Sequence, residues 1–264
     1  MNEKQKKILI IVALLCIVYV IIMLVFFGKE EETGEDNLVF LLNPDTQITY
    51  IDDIWTRSSP SSTDDESYYK VYDDNKYVGT YHMMHNKYID GYNIFNDQKN
   101  YYTVEANHFV LGIRSSKNIS VISTETINVT DDDYFVIKTV LNQKGINCDI
   151  NDLYKKKVRL DYDNDGNQEN IYMITNAFQT EGEFSNAFSI IFIEKKNKIE
   201  IIHQDIQDKD NIYDVCVPYV QNVVDIEGDK NYSIIFGCEY YSNMGTCHML
   251  YGIKDKKYQM ILAC

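Results

Sequence analysis

The sequence predicts a mainly β protein, with an N-terminal transmembrane helix followed by an antiparallel β ectodomain that contains two repeated β units and one soluble helix. Three observations support this fold class. An uncharged apolar run occupies residues 8–27. After residue 67, short segments of alternating apolar and polar residues are separated by turn residues, as in half-buried strands. A single stretch near residue 131 has the residues that begin a helix.

The run 8–27 is predicted to be a transmembrane helix. Its 20 residues contain neither charge nor proline, and at about 1.5 Å per residue they span the roughly 30 Å of a hydrocarbon core. Lysines precede the run and acidic residues follow it, so residues 1–7 are expected in the cytoplasm and the C-terminal domain outside. A cleavable signal peptide is the alternative, but the run is long and ends in Leu-Val-Phe-Phe rather than in small residues.

Composition restricts the location and the partners. The net charge is −15, with 40 acidic and 25 basic side chains, which excludes a nucleic-acid partner because such binding depends on Lys and Arg neutralising phosphates. Lys exceeds Arg, and Asn, Ile and Tyr are abundant, as in AT-rich genomes. We therefore expect a single-pass protein in the plasma membrane of a bacterium of the Gram-positive, low-GC type.

The N-terminal part of the exported chain, residues 28–129, is expected to hold two regions. Residues 28–66 are rich in Glu, Asp, Ser and Thr and are predicted to be an acidic stalk with one or two short strands. Residues 67–129 are predicted to be a small antiparallel β unit, with a hairpin turn at Asp73-Asp74-Asn75-Lys76. Among the five exported cysteines, Cys238 and Cys247 lie on two strands of one hairpin and either pair or remain buried thiols.

The soluble helix is predicted over residues 131–144. Thr130 has the residue type of an N-cap, three aspartates follow it where the helix dipole favours negative charge, and Gly145 can end the helix. Phe135, Thr139, Val140 and Leu141 are expected to face inward. The rest of the chain is predicted to be mostly strand, with tight hairpins at 195–197 and 254–256.

The segment 161–169 has the pattern D-x-D-x-D-G-x-x-E between two predicted strands. Carboxylates on alternate residues of a curled loop converge on one point, and Ca²⁺ takes six to eight oxygen ligands. The pattern predicts a Ca²⁺ site, and a solvated acidic turn is the alternative. An EF-hand is excluded because position twelve is Tyr172 and strands flank the loop. The expected ligands are Asp161, Asp163, Asp165, the carbonyl of Asn167, and Glu169.

An internal repeat supports the importance of this loop. The segment 224–236 aligns without gaps on the segment that begins at Leu160, at an offset of 64, and the following hairpins match at an offset of 59. The second loop has Lys230 in place of the glycine and Ser233 in place of the last acid. It is interpreted either as a metal-free turn or as a weaker second site formed by Asp225, Glu227, Asp229 and Asn231.

The loop and the strand after it resemble the FG-GAP or VCBS-type repeats of integrin-like proteins, which carry calcium loops between β-strands. The resemblance covers residues 157–264 and implies two blade-like units, 157–203 and 221–264, that follow the helix within residues 130–264. It also implies that the Ca²⁺ is structural and that the fold is β-propeller-like. Two units cannot close a propeller, so a compact β domain is expected.

No catalytic motif is found, and an enzyme is not expected. The function predicted from the anchor and the loop is a single-pass cell-surface binding or sensing protein with a protein or carbohydrate ligand. The alternatives are a membrane-tethered hydrolase of cell-envelope glycan and a structural component of an envelope complex.

Overall fold

The computed structural model describes residues 37–42, 46–58, 68–86, 91–95, 101–102, 110–177, 187–207, 215–240, 245–254 and 257–263. The predicted cytoplasmic tail 1–7 and transmembrane helix 8–27 lie outside these residues. Within the described part of the chain, no helix is long and apolar enough to cross a membrane. The fold is mainly β, with antiparallel sheets and one α-helix of 13 residues.

An eight-stranded sheet, here called the N-terminal sheet, is formed by the first eight strands in the order β3-β2-β1-β8-β4-β5-β6-β7. Its strands are β1 (Leu38–Leu42), β2 (Thr46–Ile51), β3 (Ile54–Ser58), β4 (Tyr68–Asp73), β5 (Lys76–Asn86), β6 (Gly91–Phe95), β7 (Tyr101–Tyr102) and β8 (Val110–Arg114). The β4–β5 turn lies where the sequence predicts it, and Asp74 and Asn75 have the positive φ angles of a two-residue hairpin turn.

The described part of the predicted acidic stalk is not a stalk. Its strands β1, β2 and β3 belong to the N-terminal sheet; β1 and most of β2 are buried, whereas β3 is mostly exposed. The acidic residues Asp52 and Asp53 occupy the exposed turn between β2 and β3. The average composition of the segment is therefore polar even though β1 and most of β2 belong to the core.

Two five-stranded sheets follow, and each contains the four strands of one repeated segment in chain order. The first repeat sheet has the order β10-β11-β12-β13-β14, and the second has the order β18-β17-β16-β15-β9. Their strands are β9 (Ser120–Ile122), β10 (Thr126–Ile127), β11 (Tyr154–Leu160), β12 (Glu169–Thr175), β13 (Phe188–Lys195), β14 (Lys198–Ile206), β15 (Val217–Asp225), β16 (Ser233–Glu239), β17 (Thr246–Lys254) and β18 (Lys257–Leu262).

The two repeats agree in detail. Leu160 pairs with Glu169, and Val224 pairs with Ser233, which preserves the offset of 64. Each repeat also has a β-bulge between its last two strands, at Ile191/Phe192 and at Leu250/Tyr251, which are related by the offset of 59. Bulges are specific features of a family's sheets, so the shared position indicates that both units have one folding pattern.

The predicted β unit 67–129 is divided among three sheets. Strands β4 to β8 belong to the N-terminal sheet, whereas β9 pairs with β15 and β10 pairs with β11. The segment 120–127 therefore adds one short strand to each repeat sheet, next to the first strand of that repeat. Each repeat needs this segment to complete its sheet, so the repeats are not separate from the chain before them.

Helix α1 (Asp131–Gln143) ends one residue earlier than predicted, and Gly145 follows it with φ +68. The predicted inward stripe is wrong for Phe135, whose side chain is 79% exposed. The buried residues are Asp133, Ile137, Val140 and Leu141. Burial of Asp133 follows from its contacts with the sheet, since it accepts hydrogen bonds from Lys157 and Tyr172, both at 2.6 Å.

The layers stack face to face around three buried clusters. Helix α1 packs on one face of the first repeat sheet, through residues such as Ile137 and Ile190. The other face of that sheet packs on the second repeat sheet, through residues such as Ile171 and Phe236. The second repeat sheet then packs on the N-terminal sheet, where Ile235 lies in one cluster with Phe40.

One disulfide lies in the core between the repeat sheets. It joins Cys216, immediately before β15, to Cys238 on β16, with a Cα–Cα distance of 5.2 Å. Cys238 and Cys247 are opposite each other on β16 and β17, as the predicted hairpin requires. The disulfide of Cys238 is nevertheless made with Cys216, because the β15–β16 register also brings that residue beside it.

Candidate metal centre

The first acidic loop is a tight turn between β11 and β12. Asp161, the residue after β11, accepts hydrogen bonds from the backbone N–H groups of Asp165 and Gly166, both at 3.0 Å. Asn164 and Gly166 have φ angles of +52 and +84, a conformation that Gly and Asn adopt at low cost. The carboxylate of Asp161 thus folds the loop around itself, as the spacing predicts.

Three of the predicted ligands meet at one point. Carboxylate oxygens of Asp161, Asp163 and Glu169 lie within 4.8 Å of one another, the one group of this kind found among the described residues. Glu169 begins β12 and is only 1% exposed, and its Oε2 accepts a 3.3 Å hydrogen bond from the backbone of Tyr162. The sheet therefore holds one carboxylate below the loop while the loop supplies the other two.

Two carboxylate oxygens in this group have no hydrogen bond. They are Oδ1 of Asp163 and Oε1 of Glu169, and both atoms are shielded from solvent. The pKa of Glu169 is raised, because the effect of burial outweighs the lowering effect of the nearby Lys195 ammonium. A buried carboxylate oxygen without a donor is costly, so these atoms are the ones that a bound cation would stabilise most.

Lys195 contacts the cluster from the adjacent hairpin. Its Nζ donates to Oδ2 of Asp163 and lies 3.0 Å from Asp165 Oδ2 and 3.5 Å from Glu169 Oε1. Burial opposes the charged form of Lys195, but its hydrogen bonds to Asp163 and Asp165 raise its pKa. Lys195 is therefore an ammonium that partly fills the place where the carboxylates converge.

Lys196, the next residue of the hairpin, lies 3.0 Å from Asp165 Oδ2 and is 60% exposed. Asp165 also accepts hydrogen bonds from the backbone and the side-chain amide of Asn167. These bonds from Asn167 and from the two lysines lower the pKa of Asp165. Asp165 is thus paired with the lysines, and it does not belong to the group formed by Asp161, Asp163 and Glu169.

The two lysines were not identified as site residues from the sequence, where they appear only as a hairpin turn. The signal that could have revealed them is strand register. Asn170 pairs with Glu194 across β12 and β13, so the preceding residue, Glu169, lies at the same end of the sheet as Lys195. Four carboxylates then face two ammonium groups, which leaves a net charge of −2 at the site.

The second acidic loop has the same backbone conformation as the first. Asp225 accepts hydrogen bonds from the N–H groups of Gly228 and Lys230, at 2.8 and 3.2 Å, and these two residues have φ angles of +75 and +64. Asn231 donates to Asp229 through its backbone and its side chain. Three of these four bonds have equivalents in the first loop at the offset of 64, whereas the bond from Gly228 takes the place of the one that Asp165 donates to Asp161.

The charges of the second loop are arranged differently. Glu227 takes the position of Asp163, but its Oε2 is paired with Lys117 at 3.3 Å and its side chain is 60% exposed. Ser233 replaces the buried Glu169. Among the described residues, the carboxylates of the second loop form no converging group like that of the first loop. The second loop therefore retains the turn geometry without the buried acid that closes the first cluster.

Comparisons of the chain with protein-family models, with curated proteins and with solved structures gave no significant match.

Proposed function

We propose that this chain is a single-pass cell-surface binding or sensing protein whose extracytoplasmic β domain is stabilised by Ca²⁺. The Ca²⁺ would be held by Asp161, Asp163 and Glu169, together with the carbonyl of Asn167 and with Asp165, which would first have to leave Lys195 and Lys196. The observation that carries the proposal is the converging carboxylate group of the first loop, in which Glu169 is buried and two oxygens lack hydrogen bonds among the described residues.

The proposed location rests on residues 1–36. The uncharged run 8–27 is long enough to cross a bilayer, and Lys4, Lys6 and Lys7 precede it. This charge distribution favours a cytoplasmic N-terminus and a C-terminal domain outside the plasma membrane. The FG-GAP or VCBS resemblance of residues 157–264 is consistent with an extracellular β domain of this kind, and the bacterial, Gram-positive source remains part of the same proposal.

Lys195 sets the main alternative for the site. Its ammonium can act as the permanent counter-ion of the carboxylates, with no metal needed. Binding of Ca²⁺ requires Lys195 Nζ to move out of the cluster, and its side chain is 25% exposed, so it has access to solvent. Under the proposal, Ca²⁺ and the Lys195 ammonium therefore compete for Asp163 and Glu169.

The proposed second site, formed by Asp225, Glu227, Asp229 and Asn231, has lower affinity. Affinity for Ca²⁺ depends on the number of charged ligands and on their preorganisation. Ser233 supplies no charge where Glu169 does, and Glu227 must first give up Lys117. We expect the second loop to keep its shape through its own hydrogen bonds, with little contribution from metal.

Thermal unfolding of the full chain tests the proposal. Extracellular calcium modules bind at about 10⁻⁴–10⁻³ M, so about 1 mM Ca²⁺ should stabilise the domain by roughly 0.4–1.4 kcal/mol relative to chelator. The change Asp163→Asn should abolish this difference, whereas Asp132→Asn, at an exposed acid of helix α1, should preserve it. Equal melting temperatures with Ca²⁺ and with chelator in the parent chain would refute the calcium site.

A further inference from the structure

A small cavity lies where an edge of the N-terminal sheet meets the second repeat. The β2–β3 hairpin forms one wall, and the second acidic loop with β17 and β18 forms the other. Its volume is about 190 Å³, below the roughly 300–1,000 Å³ of sites for drug-sized ligands. The lining residues that matter for binding are Tyr50, Trp55, Glu227, Asp229, Asn231 and Ser233.

Two aromatic residues of the β2–β3 hairpin form one wall of the cavity. Trp55, the single tryptophan of the chain, lies against Tyr50 with ring centroids 4.8 Å apart and against Phe40 with centroids 6.2 Å apart. The Tyr50 hydroxyl donates a 2.8 Å hydrogen bond to Asp53. Both rings are therefore held in place before any ligand arrives, which reduces the entropic cost of binding.

Polar groups of the second loop face this aromatic pair across the cavity. Glu227, Asp229 and Asn231 are exposed, and Ser233 is 8% exposed. The Asn231 amide donates a 2.6 Å hydrogen bond to Asp229, which orients both side chains. Among the described residues the lining contains neither Lys nor Arg, although Lys117 bonds Glu227 from outside it.

We propose that this cavity binds one pyranose ring of a neutral glycan. A pyranose has an apolar face of C–H groups, which packs on an aromatic ring, and a rim of hydroxyl donors, which carboxylates and amides accept. The two acids of the rim repel phosphate and carboxylate ligands. An apolar peptide would cover Glu227 and Asp229 without supplying donors to them, which is unfavourable.

This inference rests on the proposed function for its cell-surface ligand, yet its cavity does not include the first acidic loop. The stronger proposed Ca²⁺ site belongs to that first loop, whereas the weaker second site shares Glu227, Asp229 and Asn231 with the cavity. Binding of a sugar should therefore survive the change Asp163→Asn. The failure of either proposal can be recognised without the other, because the first has a thermal readout and the second a fluorescence readout.

Tryptophan fluorescence of the full chain tests the inference, because Trp55 is the only such fluorophore. The chain should be kept in a zwitterionic detergent without a sugar headgroup. The probes are tetramers of β-1,4-linked glucose and of β-1,4-linked N-acetylglucosamine, with tetragalacturonate as the anionic comparison. At least one neutral probe should change the emission saturably, with a Kd on the order of 1 mM for a single bound ring.

Matched variants, measured by calorimetry, identify the site. Trp55→Ala should lower the affinity for the neutral probe at least about tenfold, whereas Trp55→Phe should keep most of the affinity because it retains an aromatic face. Phe135→Ala, at an exposed aromatic residue of helix α1, should leave binding unchanged. Glu227→Gln should improve the relative binding of tetragalacturonate, since it removes a repelling charge.

Three results would overturn the inference. The first is that neither neutral tetramer binds at concentrations well above the expected Kd. The second is that Trp55→Ala binds the neutral tetramer as tightly as the parent does, and the third is that tetragalacturonate binds more tightly than both neutral probes. Running each titration with Ca²⁺ and with chelator separates the proposals. Sugar binding without any calcium-dependent thermal shift would support this inference and refute the calcium site. A calcium-dependent thermal shift without sugar binding would refute this inference alone.

Discussion

The backbone N–H of Tyr232 donates a 2.8 Å hydrogen bond to the carbonyl oxygen of Tyr162, and this bond joins the two acidic loops. Tyr162 also connects the charge cluster to the second repeat, because its ring lies 5.3 Å from Lys195 Nζ and 4.8 Å from the ring of Tyr258. Burial raises the pKa of Tyr162 to about 12. The first loop is thus anchored to the neighbouring repeat as well as to its own sheet.

Lys195→Met should separate the ion pairing of the first carboxylate cluster with Lys195 from its proposed binding of Ca²⁺. Without Ca²⁺, the variant leaves partly buried carboxylates with less counter-charge, and we expect a loss of about 1–3 kcal/mol in the free energy of unfolding. Millimolar Ca²⁺ should restore much of this loss and stabilise the variant more than it stabilises the parent chain. Urea unfolding with Ca²⁺ and with chelator measures both effects.

The control is Lys196→Met, at the neighbouring lysine. Lys196 is 60% exposed, and exposed ion pairs contribute about 0–1 kcal/mol, so little change is expected in either condition. A Lys195→Met variant that remains as stable as the parent in chelator, with no added response to Ca²⁺, would contradict the competition between the ammonium and the metal.

Asp133→Asn should weaken the attachment of helix α1 to the first repeat sheet. Asp133 Oδ2 lies 2.6 Å from Lys157 Nζ, and both side chains are almost fully buried. Removing one partner of a buried pair costs about 3–5 kcal/mol, because the remaining charge stays buried. Chemical denaturation should show this loss, and Asp132→Asn, at the exposed acid beside it, should stay within about 0.5 kcal/mol of the parent.

The same pair predicts a response to acid. Burial opposes ionisation of Asp133, but hydrogen bonds from Lys157, Thr130 and Tyr172 lower its pKa to about 2. A depressed carboxyl pKa stabilises the fold above the unfolded pKa of about 4, and this contribution, about 2 kcal/mol, is lost as the pH falls toward 2. If unfolding free energies of the parent and of Asp133→Asn fall in parallel over this range, the assignment is wrong.

His248 predicts a second loss of stability at milder pH. It is fully buried, neither ring nitrogen has a hydrogen bond, and burial together with Arg57 lowers its pKa to about 4. The unfolded chain takes up a proton near pH 6.5 and the folded chain only near pH 4, so stability falls by about 3 kcal/mol as the pH drops between these values.

The change His248→Gln removes the titrating group from this position. Its unfolding free energy should be lower than that of the parent at pH 7 but should depend less on pH between 6.5 and 4. Equilibrium unfolding at several pH values gives the two slopes. Equal slopes in the parent and in the variant would show that His248 does not titrate as inferred.

Two substitutions should test the shared conformation of the acidic loops. Gly166 has φ +84 and a Cβ there would meet no atom within 4 Å, so Gly166→Ala should cost about 1 kcal/mol through backbone strain alone. Lys230 adopts φ +64 at the equivalent position, and Lys230→Gly should be neutral or stabilising by up to about 1 kcal/mol. Thermal unfolding should therefore show a lower melting temperature for Gly166→Ala but not for Lys230→Gly. If both substitutions lowered the melting temperature, the two loops would differ in conformation.

Several local features could be predicted because their causes lie within a few residues. The two-residue turns at Asp74-Asn75 and Lys196-Asn197 adopt positive φ angles, which Asn and Asp tolerate. The start of helix α1 follows from Thr130 and the aspartates after it. The acidic loop is folded by hydrogen bonds that span only two to five residues.

Other features could not be predicted because distant partners decide them. The extent of β15 could not be predicted, since Pro218 is unusual in a strand and Gln221 is the extra residue of a bulge, which interrupts the alternation. The predicted inward face of helix α1 is confirmed for Val140 and Leu141 but wrong for Phe135, and burial of Asp133 depends on Lys157 and Tyr172. Lys195 joins the candidate site only through the pairing of β12 with β13.

The sequence by itself determined the β class, the hairpin turns and the curled acidic loop, because periodicity and turn chemistry act over short distances along the chain. Only the tertiary structure decided that residues 38–58 enter the N-terminal sheet, that 120–127 completes both repeat sheets, and that Cys238 pairs with Cys216. These outcomes depend on which surfaces bury each other, and no local pattern encodes contacts between residues far apart in the chain.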